Sequence, residues 1–375
     1  MQTDFGAQKP SKILDWRHKA YRQYRDNFFF KNYLGTNGSG VIERITEITK
    51  NERGVTGAMI HLIADLPTGG IIADNQVLGR QARLQSYWQQ VNIDQISNAV
   101  ENKGRLDDQA SVDNFRMEAK DKLAQVDAQT WDELMFLTLS GISYSLNPDG
   151  SVRVPLPGQD DLNSLSFAAD VTAPSANRHF NWTGSALAAG DTTVVTTAFV
   201  PKYGMIVDSM TEARSRRVPP LRIGGQEYYL FLVHPRTYGA LKKDSDFRTA
   251  VVQAMPRSEK NPVFTGATIT MDGAIIATHN RVFNTKGATS GGTAGAGGKW
   301  GAGTAVDGSR SLLLGAQAGA LADLEVPQWE EESIDHNRRQ SICIEHMGGL
   351  KKPVFYSTYD KSNEDFGVIA INHAI

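Results

Sequence analysis

The chain has 375 residues, 40% of them hydrophobic, with 39 Lys plus Arg against 41 Asp plus Glu and one cysteine, Cys343. That length predicts a substantial core divided among a few compact units, and the near balance of charge excludes a global field drawing the protein onto nucleic acid or an anionic membrane. A lone cysteine excludes an intrachain disulfide and any CxxC metal or redox site, which fits a reducing cytoplasm; Met1–Pro10 lacks an apolar signal core, and the densest apolar run, Tyr228–Val233, is too short to span a bilayer.

From Ile13 to Tyr33 the sequence is basic and aromatic and reads as an arm. Its three successive phenylalanines, Phe28, Phe29 and Phe30, must pack against the rest of the fold or against a neighbouring chain, and both readings stay open. Between Gly40 and Val100 the pattern turns to short strands with partial alternation at Gly57–Leu66 and around Trp88, Val91 and Ile93. A Gly-rich polar stretch, Pro67–Arg80, joins them, so the block reads as a long two-stranded excursion that needs a partner surface. From Arg105 to Ser140 there is neither Gly nor Pro, and Val112, Phe115, Ala119, Leu123 and Val126 recur at helical spacing. One long amphipathic helix with a disturbed end is predicted; the alternative is a break at Thr130, where Thr130-Trp131-Asp132-Glu133 has capping-box spacing and a second helix could start.

Asn147–Asp191 is rich in turn residues and reads as surface loop, and Thr192–Val207 as irregular or strand structure. A helix is expected at Asp208–Arg217, stopped by Val218-Pro219-Pro220. Tyr228–Val233 reads as a fully buried strand running into a helix that starts at Pro235. A further helix is expected at Phe247–Met255, then strands at Ala267–Thr270 and Ala274–Ala277. Asn284–Thr304, nearly all Gly, Ala, Ser and Thr around Trp300, reads as an inserted loop unable to order itself. Strands are expected at Ser311–Leu314, Ser341–His346 and Gly367–Asn372, with an acidic stretch at Glu325–Asp335.

Chemical motifs are weak. The glycine-rich loop is no phosphate loop, because Thr293 and Trp300 stand where that motif needs Gly and Ser or Thr. The histidines form no zinc-binding pair, and no Ser stands in a nucleophile elbow. Glu330, Glu331, Glu332, Asp335 and His336 are the nearest approach to a hard-cation site, but a solvated acidic face is the better reading. Two basic clusters, Arg214-Ser215-Arg216-Arg217 and Asn337-Arg338-Arg339, suit phosphate, acidic stretches of neighbouring chains, or plain solvent.

The order of elements carries more information than any motif: basic arm, long hairpin, long helix, loop-rich segment, the strand leading into Val233-His234-Pro235-Arg236-Thr237-Tyr238-Gly239-Ala240-Leu241-Lys242, then Leu312-Leu313-Leu314-Gly315 and closing strands. This arrangement resembles the tailed-bacteriophage major capsid proteins, specifically the branch typified by the N-four-like phages. The resemblance implies an α+β fold with an N-terminal arm (1–53), an extended β-hairpin loop (54–100), a peripheral domain with a long spine helix (101–204), an axial domain (205–323), and a return to the peripheral sheet (324–375). It implies self-assembly into hexamers and pentamers of an icosahedral head around double-stranded DNA contacted non-specifically. It further implies a virion location after synthesis in the host bacterial cytoplasm, no catalysis, no cofactor and no metal.

A separate scaffolding protein, a portal and a decoration protein are the expected partners besides the chain itself, and no membrane is involved. Phe28, Phe29, Phe30, Ile71, Ile72, Arg80, Trp88, Arg216 and Arg217 are the residues expected at contacts between subunits. Some members of this fold cross-link through a loop lysine, but no Lys occurs from Asn51 to Asn102, so no such bond is expected. The alternatives are an encapsulin-like nanocompartment shell, a cytosolic enzyme using the 330–336 acidic cluster, and a nucleic-acid-binding module using the arm.

Overall fold

The structure is a computed structural model that describes residues 19, 20, 23, 24, 27–36, 38–46, 57–63, 71, 86–104, 115–254, 269–294, 297–323, 327–336, 338–357 and 359–375. A short 3-10 turn at Phe29–Tyr33 leads into strands β1 (Leu34–Gly35) and β2 (Ile42–Ile45). β3 (Gly57–Ile63) and β4 (Ser86–Asn92) pair antiparallel, from Gly57 opposite Asn92 to Ile63 opposite Ser86, as the two legs of the expected excursion. β5 (Asp94–Glu101) follows one residue later.

The long helix α1 spans Phe115–Ser140 without a break, about 39 Å at about 1.5 Å per residue. Thr130 does not start a second helix: its hydroxyl donates back to the Val126 carbonyl at 2.9 Å, so its side chain caps nothing. Gly141, at φ 64°, ends the helix; its N–H reaches the Thr138 carbonyl while Ile142 N–H reaches Leu137. That pairing closes a helix only when the turning residue is left-handed. Toward this end α1 is buried all round, from Leu134 to Ser140, because it runs between two sheets.

Downstream lie β6 (His179–Trp182), β7 (Leu187–Ala189), α2 (Tyr203–Ser215), β8 (Leu221–Ile223) and β9 (Gln226–Val233). Next come α3 (Pro235–Lys243), α4 (Ser245–Ala254), β10 (Ile269–Met271), β11 (Ala274–Thr278) and β12 (Thr289–Ala294). β13 (Gly308–Leu314), β14 (Gly319–Asp323), β15 (Gln328–Ile334), β16 (Arg339–Lys351), β17 (Val354–Ser357), β18 (Ser362–Asp365) and β19 (Val368–Ala374) complete the chain.

The first sheet has the order β1-β2-β14-β16-β15, with β5 on the other edge of β16. The second has the order β10-β11-β9-β13-β19-β6-β7, with β8 paired to β9. Its central strands read as unbroken apolar runs because both faces are covered. Leu230, Leu232, Leu312, Leu314, Val368 and Ala370 face the core around α1, whereas Phe231, Val233, Leu313, Ile369 and Ile371 face Met205, Met210, Leu241 and Phe247 of α2, α3 and α4. Burying each of these Leu, Val, Ile, Phe and Met side chains stabilises the fold by about 1.5–3 kcal/mol.

Four expectations need correction. His179–Trp182, expected within a surface loop, is a strand of the second sheet with Phe180 and Trp182 buried; four residues between polar neighbours leave no periodicity to detect. The helix expected from Asp208 begins at Tyr203, within a span expected to be irregular or strand. Asn284–Thr304 is not a free loop, because Trp300 is 2% exposed against Phe283 and Arg310, and β12 forms inside it. The return of 324–375 to one sheet holds for β15 and β16 only, since β19 lies between β13 and β6 in the other sheet.

Candidate assembly surfaces

The hairpin has two unlike faces. On the inner face Ala58, Ile60 and Val91 are buried against Ala320, Ala322 and Phe355. The Gln89 side-chain amide pairs with both backbone groups of Val354, its carbonyl accepting the Val354 N–H at 3.1 Å, and so mimics a strand partner for β17. Lys351 donates to the Gln90 carbonyl at 2.6 Å and pairs with Asp170 at 3.0 Å, while Asp170 accepts the Asn92 N–H at 2.9 Å. These contacts fix the base of the excursion to its own subunit. The outer face carries Met59 and Trp88, 51% and 60% exposed, next to the His61–Trp88 cross-strand pair. Two large apolar side chains therefore stand on one face of the two-stranded ribbon. Ile71 is half-buried, whereas Ile72 and Arg80 lie outside the described residues.

Phe28, Phe29 and Phe30 go the other way. Phe28 and Phe30 are buried in the subunit's own core, with Phe30 centred 4.9 Å from Phe136, and Phe29 is half-buried, 4.6 Å from the His279 ring. Asp132 of α1 accepts the Phe29 N–H at 3.0 and 3.1 Å, which ties the 3-10 turn to the long helix. Local packing, one of the two readings of the sequence, is what these side chains do. Burial pushes the Asp132 carboxyl up to about 7, against the opposing pull of the Phe29 N–H and Arg281.

Arg216 also serves its own chain. It pairs with Glu212 at 2.9 Å and Asp360 at 2.8 Å, lies over the Phe180 ring, and shares Asp360 with buried Arg178. That network joins α2 to the β17–β18 hairpin and matches the Arg216 charge within its own chain. Arg217 remains exposed, held left-handed at φ 54° just past α2.

Beneath these surfaces lies a second polar centre that the sequence did not announce. His346 of β16 is buried between Asp127 of α1, 3.1 Å away, and Asp323 of β14, 3.7 Å away, with Arg44 of β2 on the far side of Asp323 at 2.5 Å. Burial alone would lower the His346 pKa, but the two carboxylates outweigh it and hold the imidazolium at about 9. The cluster lashes the long helix to three strands of the first sheet. It is closed to solvent, as is the Ser311–His373 contact at 2.8 Å, where both residues are fully buried and no substrate has access.

The acidic stretch does not converge. Glu330 and Glu332 are exposed, while Glu331 turns the other way to pair with Arg116 and accept from Trp329 Nε1 at 2.7 Å. Among the described residues no group of three or more His, Cys, Asp or Glu is arranged to hold a metal ion. Among them, too, no helix is long and apolar enough to cross a membrane.

The described subunit thus has α1 packed between two sheets and an anchored hairpin that presents Met59 and Trp88 outward. The model of a family described as phage capsid protein matches residues 4–375. The chain belongs to that phage capsid protein family. This capsid protein is 36% identical over 374 residues to the major capsid protein of Pseudomonas phage KPP25, covering 98% of this chain and 96% of that one. Its fold is similar to the capsid of Ralstonia phage GP4, with a TM-score of 0.73 at 22% identity over 92% and 91% of the two chains. It is likewise similar to the cyanophage Pam1 capsid subunit, at TM-score 0.68 and 19% identity over 92% and 91%.

Proposed function

We propose that this chain is the structural major capsid protein of a tailed bacteriophage, located in the virion, whose copies assemble into the icosahedral head. The observation that carries this reading is the match of the phage capsid family along residues 4–375, backed by 36% identity to a major capsid protein over nearly the full length of both chains. In finer terms, α1 with the first sheet is the peripheral domain and its spine, the second sheet with α2, α3 and α4 is the axial domain, and the β3–β4 hairpin is the extended loop. Copies meet as hexamers and pentamers, and the outer hairpin face, Met59 with Trp88, and exposed Arg217 lie at their contacts. Interfaces of permanent assemblies commonly bury about 2,000–5,000 Å², and the hairpin supplies apolar area for one of them.

The near-neutral chain suits a wall that confines DNA without gripping it. Scaffolding, portal and decoration proteins are further partners of such a head. The contents of particles purified from producing cells test the reading. Nuclease-protected double-stranded DNA is expected; particles holding one enzyme as protein cargo, and no genome, would make this an encapsulin-like shell instead.

A further inference from the structure

The β17–β18 hairpin is closed at its base by two ionisable side chains that water does not reach. Lys352, two residues before β17, and Asp365, the last residue of β18, are 0% and 1% exposed, and Lys352 Nζ stands 2.7 Å from Asp365 Oδ2. Cross-strand pairs from Ser357 opposite Ser362 to Val354 opposite Asp365 hold the two strands in register beside them. The segment 173–175 shuts the base from the other side. Lys352 Nζ also donates to the Ala173 carbonyl at 3.3 Å, the Ser175 N–H donates to Asp365 Oδ2 at 3.2 Å, and the Asp365 N–H reaches Ser175 Oγ at 3.0 Å. Asp365 Oδ1 is buried with no hydrogen-bond partner among the described residues.

As an ion pair this arrangement is costly. Two charges taken out of water are repaid only when their remaining lone pairs and protons are satisfied, and one carboxylate oxygen here is not. Burial accordingly pushes Lys352 down and Asp365 up, each against the pull of the other, and Arg310 acts on the lysine and Glu364 on the aspartate in the same two directions. Both shifts favour moving one proton from Nζ to the carboxyl, which leaves a free amine against a carboxylic acid. A desolvated lysine amine is a nucleophile. Held in contact with one acyl carbon, and with water excluded, it reacts at an effective concentration far above any reached in solution.

We propose that Lys352 and Asp365 are joined by an intrachain isopeptide bond, formed by the folded subunit itself. The Nζ lone pair forms the bond to Asp365 Cγ, and the Cγ–Oδ1 bond breaks. Oδ1 leaves as water, carrying the proton already passed to the carboxyl and one of the two left on Nζ. Nothing is oxidised or reduced. Oδ2 stays as the amide oxygen, and the Ser175 N–H steadies the negative charge that it gathers while the bond forms. One neutral amide replaces two buried charges and closes a span of 13 residues. Within that span lies Asp360, which holds Arg178 and Arg216, so the bond braces the hairpin on which α2 is anchored. It lies wholly inside one subunit and does not depend on how copies meet.

The intact mass of the purified full-length protein, denatured before measurement, is the test. It is expected to fall one water short of the mass of the sequence, whereas Lys352→Met and Asp365→Ala show the full masses of their own sequences. Trypsin cuts after Lys351 and Lys361, so an unlinked chain yields the linear peptides 352–361 and 362–375. The linked chain is expected to yield one branched peptide holding both, lighter by one water, with fragment ions that place the bond between Lys352 and Asp365.

Full mass with the two linear peptides, in freshly folded protein and after long incubation alike, overturns the proposal and leaves an ordinary buried ion pair. A missing water with both linear peptides intact overturns it too, because a succinimide at another aspartate accounts for that loss. So does a branch at any other lysine. The mass of the parent protein decides the matter even if neither variant folds.

Discussion

His346 lies 3.1 Å from Asp127 on one side and 3.7 Å from Asp323 on the other, a cation locked between two carboxylates inside the subunit. Arg44 backs Asp323, and the rings of Tyr24 and Trp131 close the remaining approaches to the imidazole. The relationship matters because it joins α1, β2, β14 and β16 through one side chain.

Its pH dependence has a definite sign. The folded pKa of about 9 lies above the ordinary 6.5, so the stabilisation is complete below 6.5 and is lost as pH rises through 9. The loss is on the order of 3 kcal/mol. Chemical denaturation at pH 6 and pH 9.5 checks it. His346→Ala is expected to cost about 3–5 kcal/mol at pH 6, because two buried carboxylates lose their partner, and to flatten the dependence between those pH values. An unchanged slope in the variant would remove His346 from the account.

Asp132 titrates in the opposite sense to an ordinary paired carboxylate. Its folded pKa of about 7 stands above the usual 3.8, so the folded state holds the extra proton. Its contribution is present below 3.8 and disappears as pH rises through 7. Asp132→Asn, which still offers an oxygen to the Phe29 N–H, is expected to abolish that part of the decline between pH 4 and pH 7. Denaturant midpoints of both proteins across this window are the measurement.

Gly308 makes room for Trp300. A Cβ there would meet the indole ring, so Gly308→Ala is expected to destabilise the subunit by about 1–3 kcal/mol. The same change should raise Trp300 fluorescence exposure to quenchers. A variant as stable as the parent, with the indole still shielded, would contradict the buried placement of Trp300.

The outer face of the hairpin should matter to assembly and little to folding. Met59→Ser with Trp88→Ser is expected to leave subunit stability within about 0.5 kcal/mol while reducing the yield of closed shells by sedimentation. Deleting Gly69–Gly79 is expected to give a folded subunit that forms no closed shells. Normal shells from either variant would show that the excursion plays no part in contacts between copies.

Long periodic elements were legible in the sequence. α1 announces itself through the absence of Gly and Pro and its helical spacing, and β9 with α3 through Tyr228–Val233 running into His234-Pro235, where His234 Nδ1 accepts the Arg236 N–H at 3.3 Å and caps the helix. What stayed hidden depends on tertiary context. β6 is four residues whose apolar side chains acquire meaning only beside β19. The described part of the glycine-rich segment is held because Trp300 finds a pocket that Gly308 of β13 leaves open. The Asp127–His346–Asp323 cluster joins residues far apart in the chain, and isolated acids on a helix or strand look the same whether they face water or each other. Asp127 itself gave no signal, because Gln129, Thr130, Asp132 and Glu133 follow it along the same helix.

The claim that this chain works by joining copies of itself is tested most directly by electron microscopy and sedimentation of the purified full-length protein, with scaffolding protein supplied. Closed shells, tubes, or isolated hexamers and pentamers are expected. A protein that persists as monomer or dimer under those conditions would contradict the account.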